Sequence, residues 1–203
     1  SAEVYADDFR LIDRDRHSQL PELHRIYSEY QQRLRQANAM DFDDLLMNTY
    51  ALFREHEEVR QRYANHFQYV LVDEYQDTNT VQQWIMLQLT KERQRVCVVG
   101  DDYQSIYAFR GAKIDNILGF QKEYDHVQLF KLEQNYRSTK QIVEAANSLM
   151  KHNKRQIDKD VYSNNAKGER ITLYEAYSDR EEAAIVCKSI QRLKRTDECG
   201  YSN

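Results

Sequence analysis

The sequence predicts an α/β fold built on a parallel sheet, with helices in the majority, and three observations predict it. Two short apolar runs, Tyr69-Val70-Leu71-Val72 and Arg95-Val96-Cys97-Val98-Val99, stop abruptly at Asp73-Glu74 and Gly100-Asp101, as buried parallel strands do. A helical pattern lies between them, so strand, helix and strand make a βαβ unit. One Pro and five Gly in 203 residues, against usual shares of roughly 5% and 7%, argue against collagen-like, linker-rich and many-turned all-β chains.

Taken in order, residues 20–37 place Leu20, Leu23, Ile26, Tyr27, Tyr30 and Leu34 at three- and four-residue steps after Pro21, an amphipathic helix. A second helix opens at Met40-Asp41-Phe42-Asp43-Asp44-Leu45-Leu46. There Asp41 can cap free N–H groups, and the next two carboxylates face the positive end of the dipole. The same carboxylates can be read as a metal triad, but helix capping already accounts for their placement. Between the two apolar runs, Thr80 and Gln83 fit a capping box for a helix carrying Val81, Trp84, Ile85, Leu87 and Leu89. A third strand is expected at Val127-Gln128-Leu129-Phe130-Lys131-Leu132. Ser138 and Gln141 then fit a capping box before Ile142, Val143, Ala146, Leu149 and Met150. Residues 151–160 form a polar, basic connector, Ile171-Thr172-Leu173-Tyr174 a strand, and 180–193 a helix that can begin a second domain.

Composition excludes several classes. With 41% apolar residues the chain can bury a core, and no apolar run approaches the ~20 residues of a membrane span. Cys97, Cys187 and Cys199 form neither a C-x-x-C pair nor an even framework, so a reducing cytoplasm is the default compartment. The six histidines lack metal-ligand spacing, and no zinc site is expected. The net charge of −4 hides segregation: residues 41–100 carry ten acids and six bases, residues 137–160 six bases and three acids. A local basic groove for nucleic acid remains compatible with that balance.

The chemistry should sit beyond the carboxyl ends of the strands, where open α/β sheets bind ligands. A strand ending in Asp-Glu suits a nucleotide site. Asp73 can hold Mg²⁺ through its water shell, and Glu74 can deprotonate water attacking a terminal phosphate, although such acids also merely cap turns. After the second strand, Gln104 can contact that water or phosphate, Arg110 can offset developing charge, and Phe109 or Tyr107 can stack on a nucleobase. For Ile106 and Tyr107 the preferred reading is core packing, because aromatics at helical spacing usually face inward. Arg137 stands beside Tyr136 just before a helix N-terminus, where guanidinium and dipole can act together on an anion and Tyr136 can stack on adenine; a solvated Arg flanking a capped helix fits equally well.

Together the runs Asp41-Phe42-Asp43-Asp44-Leu45-Leu46, Val72-Asp73-Glu74-Tyr75-Gln76-Asp77-Thr78-Asn79, Gly100-Asp101 through Gln104-Ser105-Ile106-Tyr107 to Phe109-Arg110-Gly111-Ala112, and Gln134-Asn135-Tyr136-Arg137-Ser138-Thr139 strongly resemble the UvrD/Rep/PcrA family of superfamily 1 DNA helicases. The resemblance runs from about Tyr27 to the end of the chain. It implies an ATP-driven motor of two RecA-like domains that steps along single-stranded DNA, typically 3′ to 5′, and opens duplex at junctions. The fold expected from it is an incomplete RecA-like P-loop NTPase domain with a parallel sheet, preceded by helices and followed by the start of a second RecA-like domain. Residues 1–40 would be the tail of a helical insertion, 41–134 the rest of the first domain, and 135–203 the opening of the second.

By the same resemblance Asp73 binds Mg²⁺, Glu74 activates water, Gln104 couples the γ-phosphate to DNA, Arg110 and Arg137 contact that phosphate, and Tyr136 stacks on adenine. Two positions depart from the family pattern: Phe109 stands where Trp is common and offers a smaller stacking face, and Tyr103 stands where an acid is common. No G-x-x-x-x-G-K-[ST] occurs, and the chain begins at Ser1, so it reads as a middle slice that needs the rest of the helicase to turn over ATP. Two readings compete with the motor: a non-catalytic single-stranded DNA-binding or regulatory relative, and a helicase-nuclease subunit, for which no nuclease carboxylate cluster is visible.

Overall fold

The computed structural model describes residues 22–196, so the expectations for Leu20, Pro21 and Cys199 lie outside the described residues. The described chain divides into two units. The first runs to Leu129 and takes back Arg155–Ile157, and the second comprises Phe130–Lys154 and continues from Asp158.

In the first unit, helix α1 (Leu23–Gln36) ends with Arg33 and Arg35 in its last turn, cations that suit the negative end of the dipole. Asn38, at φ 49°, supplies the left-handed residue that stops it. Helix α2 (Phe42–Glu55) begins at the expected place. The Asp44 N–H donates to Asp41 Oδ1 at 2.8 Å, and the Asp41 N–H donates back to Asp44 Oδ2 at 3.2 Å. The bond from the Asp44 N–H, reinforced by the Tyr30 hydroxyl at 2.9 Å, holds the Asp41 carboxyl below its ordinary range. The lowered value means this helix start is supported above the usual carboxylate range and loses that support as pH falls through it. Helix α3 (Glu57–His66) follows directly.

Strand β1 (Val70–Val72) then pairs in parallel with β2 (Val96–Val98), in the register Val70 to Val96, Leu71 to Cys97 and Val72 to Val98. Helix α4 (Thr80–Thr90) connects them and completes the βαβ unit. Val70, Val72, Val96 and Val98 pack on a core of Tyr75, Met86, Phe120 and Tyr124. The opposite face differs from the expectation of strands buried on both sides: Leu71 is 77% exposed and Cys97 is exposed. Alternate residues point to opposite faces, and the packed core lies on the valine face.

The capping box of α4 sits one residue earlier than expected. Asn79 Oδ1 accepts from the Gln82 N–H and Gln82 Oε1 accepts from the Asn79 N–H, both at 2.9 Å. Asn ranks above Thr as an N-cap, so Asn79 takes the position in preference to Thr80. Asn79→Ala is therefore expected to lower stability by about 0.5–2 kcal/mol in thermal or denaturant unfolding, and Asn79→Gly by only a few tenths.

Short 3₁₀ turns at Tyr75–Asp77, Asp102–Gln104 and Ala108–Arg110 follow the strands, then helix α5 (Ile114–Gly119) and a turn at Phe120–Lys122. The strand expected at 127–132 does not form. None of its backbone groups enters a ladder, and Phe130 and Leu132 are exposed. Arg155–Ile157 join this unit through an ion pair from Arg155 to Asp115 and the Ile157 N–H donating to the buried Asp102 carboxylate at 2.7 Å.

The second unit holds α6 (Lys140–Met150) and α7 (Asp179–Arg195). A parallel bridge joins Gln134 to Tyr162, with the Asn135 N–H on the Tyr162 carbonyl at 2.7 Å. The strand expected at 171–174 is absent for the same reason as the first: apolar alternation needs a paired neighbour to become a strand, and Ile171 and Leu173 stay exposed. α7 is capped by Ser178, whose Oγ accepts from the Glu181 N–H at 3.2 Å. Acids occupy its first turn and bases its last, in keeping with the dipole. None of the described helices is long and apolar enough to cross a membrane.

Candidate functional site

Asp73 and Glu74 stand where β1 ends. The Val99 N–H donates to the Val72 carbonyl at 2.8 Å, and the Tyr75 N–H donates to the Val99 carbonyl at 2.9 Å, so the chain after Asp73 stays tied to β2. Between those bonds Glu74 takes φ 50°, a left-handed conformation costly for a side chain with a Cβ. It turns the strand into the 3₁₀ segment without losing the second strand's carbonyl. Asp73 Oδ1 accepts from the Glu74 N–H at 2.9 Å, which leaves its Oδ2 for another ligand.

The two strand ends are joined through one buried side chain. Gln76, 1% exposed, donates from Nε2 to Glu74 Oε2 at 2.8 Å, while its Oε1 accepts from the Asp101 N–H at 3.0 Å. The Asp101 carboxylate in turn accepts from the Tyr103 N–H at 3.1 Å and from Gln104 Nε2 at 2.8 Å. Glu74 and Gln104, thirty residues apart in the chain, therefore belong to one hydrogen-bonded line. Gly100 makes room for it: a Cβ there would lie 2.6 Å from Gln76 Oε1 and 2.9 Å from the Ile117 side chain.

Phe109 and Arg110 lie on the turn that follows. The Arg110 guanidinium sits 5.4 Å from the Tyr107 ring and 5.5 Å from the Phe109 ring, and Phe109 is 78% exposed. The rings are 5.8 Å apart and tilted, so the three side chains make one exposed aromatic-cationic patch. Core packing does not hold for Ile106 and Tyr107. Ile106 is exposed and Tyr107 only partly covered, because this segment is a pair of 3₁₀ turns and presents no continuous helical face to the core.

Tyr136 and Arg137 belong to the second unit. The Asn135 Oδ1 accepts from the Arg137 N–H at 3.0 Å and the Ser138 N–H at 2.7 Å, and the Asn165 amide donates to the Tyr136 and Ser138 carbonyls at 3.0 Å. This turn leaves the Tyr136 ring exposed, its hydroxyl on Gln134 Oε1 at 3.0 Å. The expected Ser138–Gln141 capping box is absent. Thr139 is the N-cap without a side-chain bond, and the Lys140 and Gln141 N–H groups donate to the Ala166 and Lys167 carbonyls at 3.2 Å. Main-chain carbonyls thus satisfy donors that an anion at the helix end would have used.

A cavity of about 360 Å³ opens on other elements of the first unit, lined by Tyr50 of α2, Arg60 of α3, and Trp84 and Lys91 at α4 and its end. It does not include the strand-end carboxylates. No group of three or more His, Cys, Asp or Glu placed to hold a metal occurs among the described residues. Asp41 and Asp44, expected as alternatives between cap and ligand, are engaged with each other's backbone.

Residues 5–125 match the UvrD/REP helicase N-terminal domain, and residues 130–202 match the UvrD-like helicase C-terminal domain. The chain belongs to the UvrD/REP helicase family. The "ATP-dependent DNA helicase PcrA" of Staphylococcus aureus strain Mu50 is 46% identical over 181 residues, 89% of this chain and 24% of that protein. The protein of the same name from Leuconostoc citreum is 43% identical over 178 residues, 88% of this chain and 24% of its own. That of Staphylococcus epidermidis is 45% identical over 190 residues, 94% and 26% respectively. The chain thus spans about a quarter of the length of the curated relatives it matches. The small parallel sheet is the RecA-like element of this UvrD-like chain. Sequence reading missed Gln76 and Asn135 as organisers of the two turns. Their signal was present, since each polar residue sits one or two positions from a candidate and must satisfy its own donors and acceptors.

Proposed function

We propose that this chain is the central part of an ATP-driven DNA helicase, with residues 41–134 completing a first RecA-like domain and 135–203 opening a second. The observation that carries the reading is the hydrogen-bonded line from Glu74 through Gln76 and Asp101 to Gln104, which ties a strand-end carboxylate to an amide on the next strand's turn. The curated relatives are named ATP-dependent DNA helicases, in keeping with that arrangement.

In this reading ATP is the substrate and Mg²⁺ the metal. One exposed carboxylate with a free oxygen suits Mg²⁺, which keeps several waters and takes its other ligands from phosphate. Asp73 would hold it, and the ion would neutralise charge on the phosphate oxygens. Glu74 accepts a proton from the water whose oxygen attacks the γ-phosphorus, while the bond from that phosphorus to the bridging oxygen of ADP breaks. Gln104 senses the γ-phosphate, Arg110 and Arg137 offset its charge, and Tyr136 stacks on the adenine. Phe109 stacks on a base of single-stranded DNA. Polarity is 3′ to 5′, and activity requires the remainder of the motor, including a phosphate-binding loop.

The test is ATP turnover by the full-length protein with and without single-stranded DNA. Stimulated hydrolysis is expected; DNA binding without hydrolysis favours the non-catalytic relative instead. Phe109→Ala should weaken single-stranded DNA binding by about 1–3 kcal/mol at fixed salt, and unchanged affinity would reduce the ring to a surface residue.

A further inference from the structure

We infer that Gln76 is a positioning residue that holds the Glu74 carboxylate in place and connects it to the turn carrying Gln104. The inference rests on the reading of Glu74 as the group that takes a proton from water. Three facts lead to it. Gln76 is one of the two most deeply buried large side chains among the described residues, although it is polar. Both ends of its amide are used, Nε2 on Glu74 Oε2 at 2.8 Å and Oε1 under the Asp101 N–H at 3.0 Å. The carbonyl end is closely packed, because Gly100 leaves only the space that a Cβ would fill.

The two partners also dictate the residue type. An ionised carboxylate only accepts, and a backbone N–H only donates, so the side chain between them must offer one donor and one acceptor at its tip. A glutamine meets both demands in one orientation only; turned over, it would set its carbonyl against the carboxylate and its NH₂ against the N–H. An ionised glutamate supplies no donor, a leucine supplies neither group, and an asparagine is one methylene too short to span the same gap. The second hydrogen of the amide faces Asp77 Oδ2 at 3.5 Å, so the charged groups against this tip are Glu74 and Asp77, with the Asp101 main chain on its carbonyl side. A shift of the Asp101 turn therefore moves the Gln76 carbonyl, and through the same rigid amide the Glu74 carboxylate.

The experiment uses the full-length protein with Gln76→Glu, Gln76→Leu, Glu74→Gln and the swapped pair Glu74→Gln/Gln76→Glu. Gln76→Leu is expected to lower the kcat of DNA-stimulated hydrolysis about 10- to 100-fold, the size of effect that misplacing a reacting group produces. Its KM for ATP should stay within about twofold, because the loss falls on the transition state. Gln76→Glu sets two carboxylates against each other and removes the donor to Glu74, so its kcat should fall at least as far as that of Gln76→Leu. The swapped pair restores one amide against one carboxylate, and should recover the unfolding midpoint that Gln76→Glu loses at neutral pH, while remaining inactive.

Wild-type kcat in both single Gln76 variants, beside an inactive Glu74→Gln, overturns the role of Gln76 and leaves that of Glu74 standing. A lowered unfolding midpoint with unchanged kcat in Gln76→Leu also overturns it, since the residue is then structural only. Full turnover in Glu74→Gln removes the underlying reading and this one with it. Should Gln76→Leu fail to fold, Gln76→Met takes its place with the same readout: a kcat lowered about 10-fold or more at unchanged KM supports the role, and wild-type kcat overturns it.

Discussion

Glu74→Gln in the full-length protein is expected to lower DNA-stimulated ATP turnover by about 10²- to 10⁴-fold, the range over which a positioned general base contributes. The substitution keeps the shape of the side chain and removes its capacity to take a proton. Nucleotide affinity should change little, because the contacts proposed for phosphate and adenine lie elsewhere and Asp73 retains its carboxylate. The backbone at Glu74 need not change either: it already has φ 50°, and a glutamine tolerates that conformation about as well as a glutamate. The partner that does change is Gln76, whose Nε2 can still donate to the new amide's oxygen as it does to Glu74 Oε2. The measurement is steady-state hydrolysis with saturating single-stranded DNA, alongside equilibrium binding of a fluorescent nucleotide. Loss of kcat with preserved binding is the expected result; wild-type turnover would remove Glu74 from the chemistry.

Local signals that are complete in themselves were legible in the sequence. Asp41 with Asp44 names a helix start because both halves of the cap lie within four residues, and α2 begins there. The runs at 70–72 and 96–98 name a parallel pair because a capped helix of the right length separates them. What failed needed a distant partner. The apolar runs at 127–132 and 171–174 have the composition of strands, yet a strand exists only where another backbone completes its hydrogen bonds, and the described residues supply none. The same limit explains Leu71. Its run predicts burial on both faces, but the packed core covers only the valine side.

The candidate site divides along the same line. Asp73, Glu74, Gln104, Phe109 and Arg110 could be named from their positions after the two strands. Their connection could not, because Gln76 looks like one polar residue among several, and its burial depends on Gly100 from another strand end. The capping error at α4 is instructive in a smaller way. Thr80 and Asn79 are both good caps, and the choice falls to the higher-ranked residue, Asn79, with Gln82 closing the box one residue earlier. In the second unit a neighbouring loop replaced the expected cap of α6, which only tertiary structure can reveal.

Tyr75→Ala is expected to destabilise the first unit by about 3–5 kcal/mol, the range for deleting a large buried aromatic. Tyr75 is the other of the two most buried large side chains, and its ring meets Phe120 edge-on with centroids 5.7 Å apart. Phe120 continues to Tyr124 at 5.0 Å, and these rings underlie the valine face of both strands. Removing the first ring opens a cavity beneath the turn that carries Glu74 and Gln76. The hydroxyl behaves differently from the ring. It is buried without a hydrogen-bond partner, and burial pushes its pKa well above the ordinary tyrosine value. A buried unmatched polar group costs about 1–3 kcal/mol, so Tyr75→Phe should be neutral or stabilising. Denaturant unfolding of the two variants separates the effects. A large loss in Tyr75→Ala beside no loss in Tyr75→Phe assigns the residue's contribution to packing. A comparable loss in both would mean that the hydroxyl has a partner in solution, with the Gln83 side chain of α4 as a source of one.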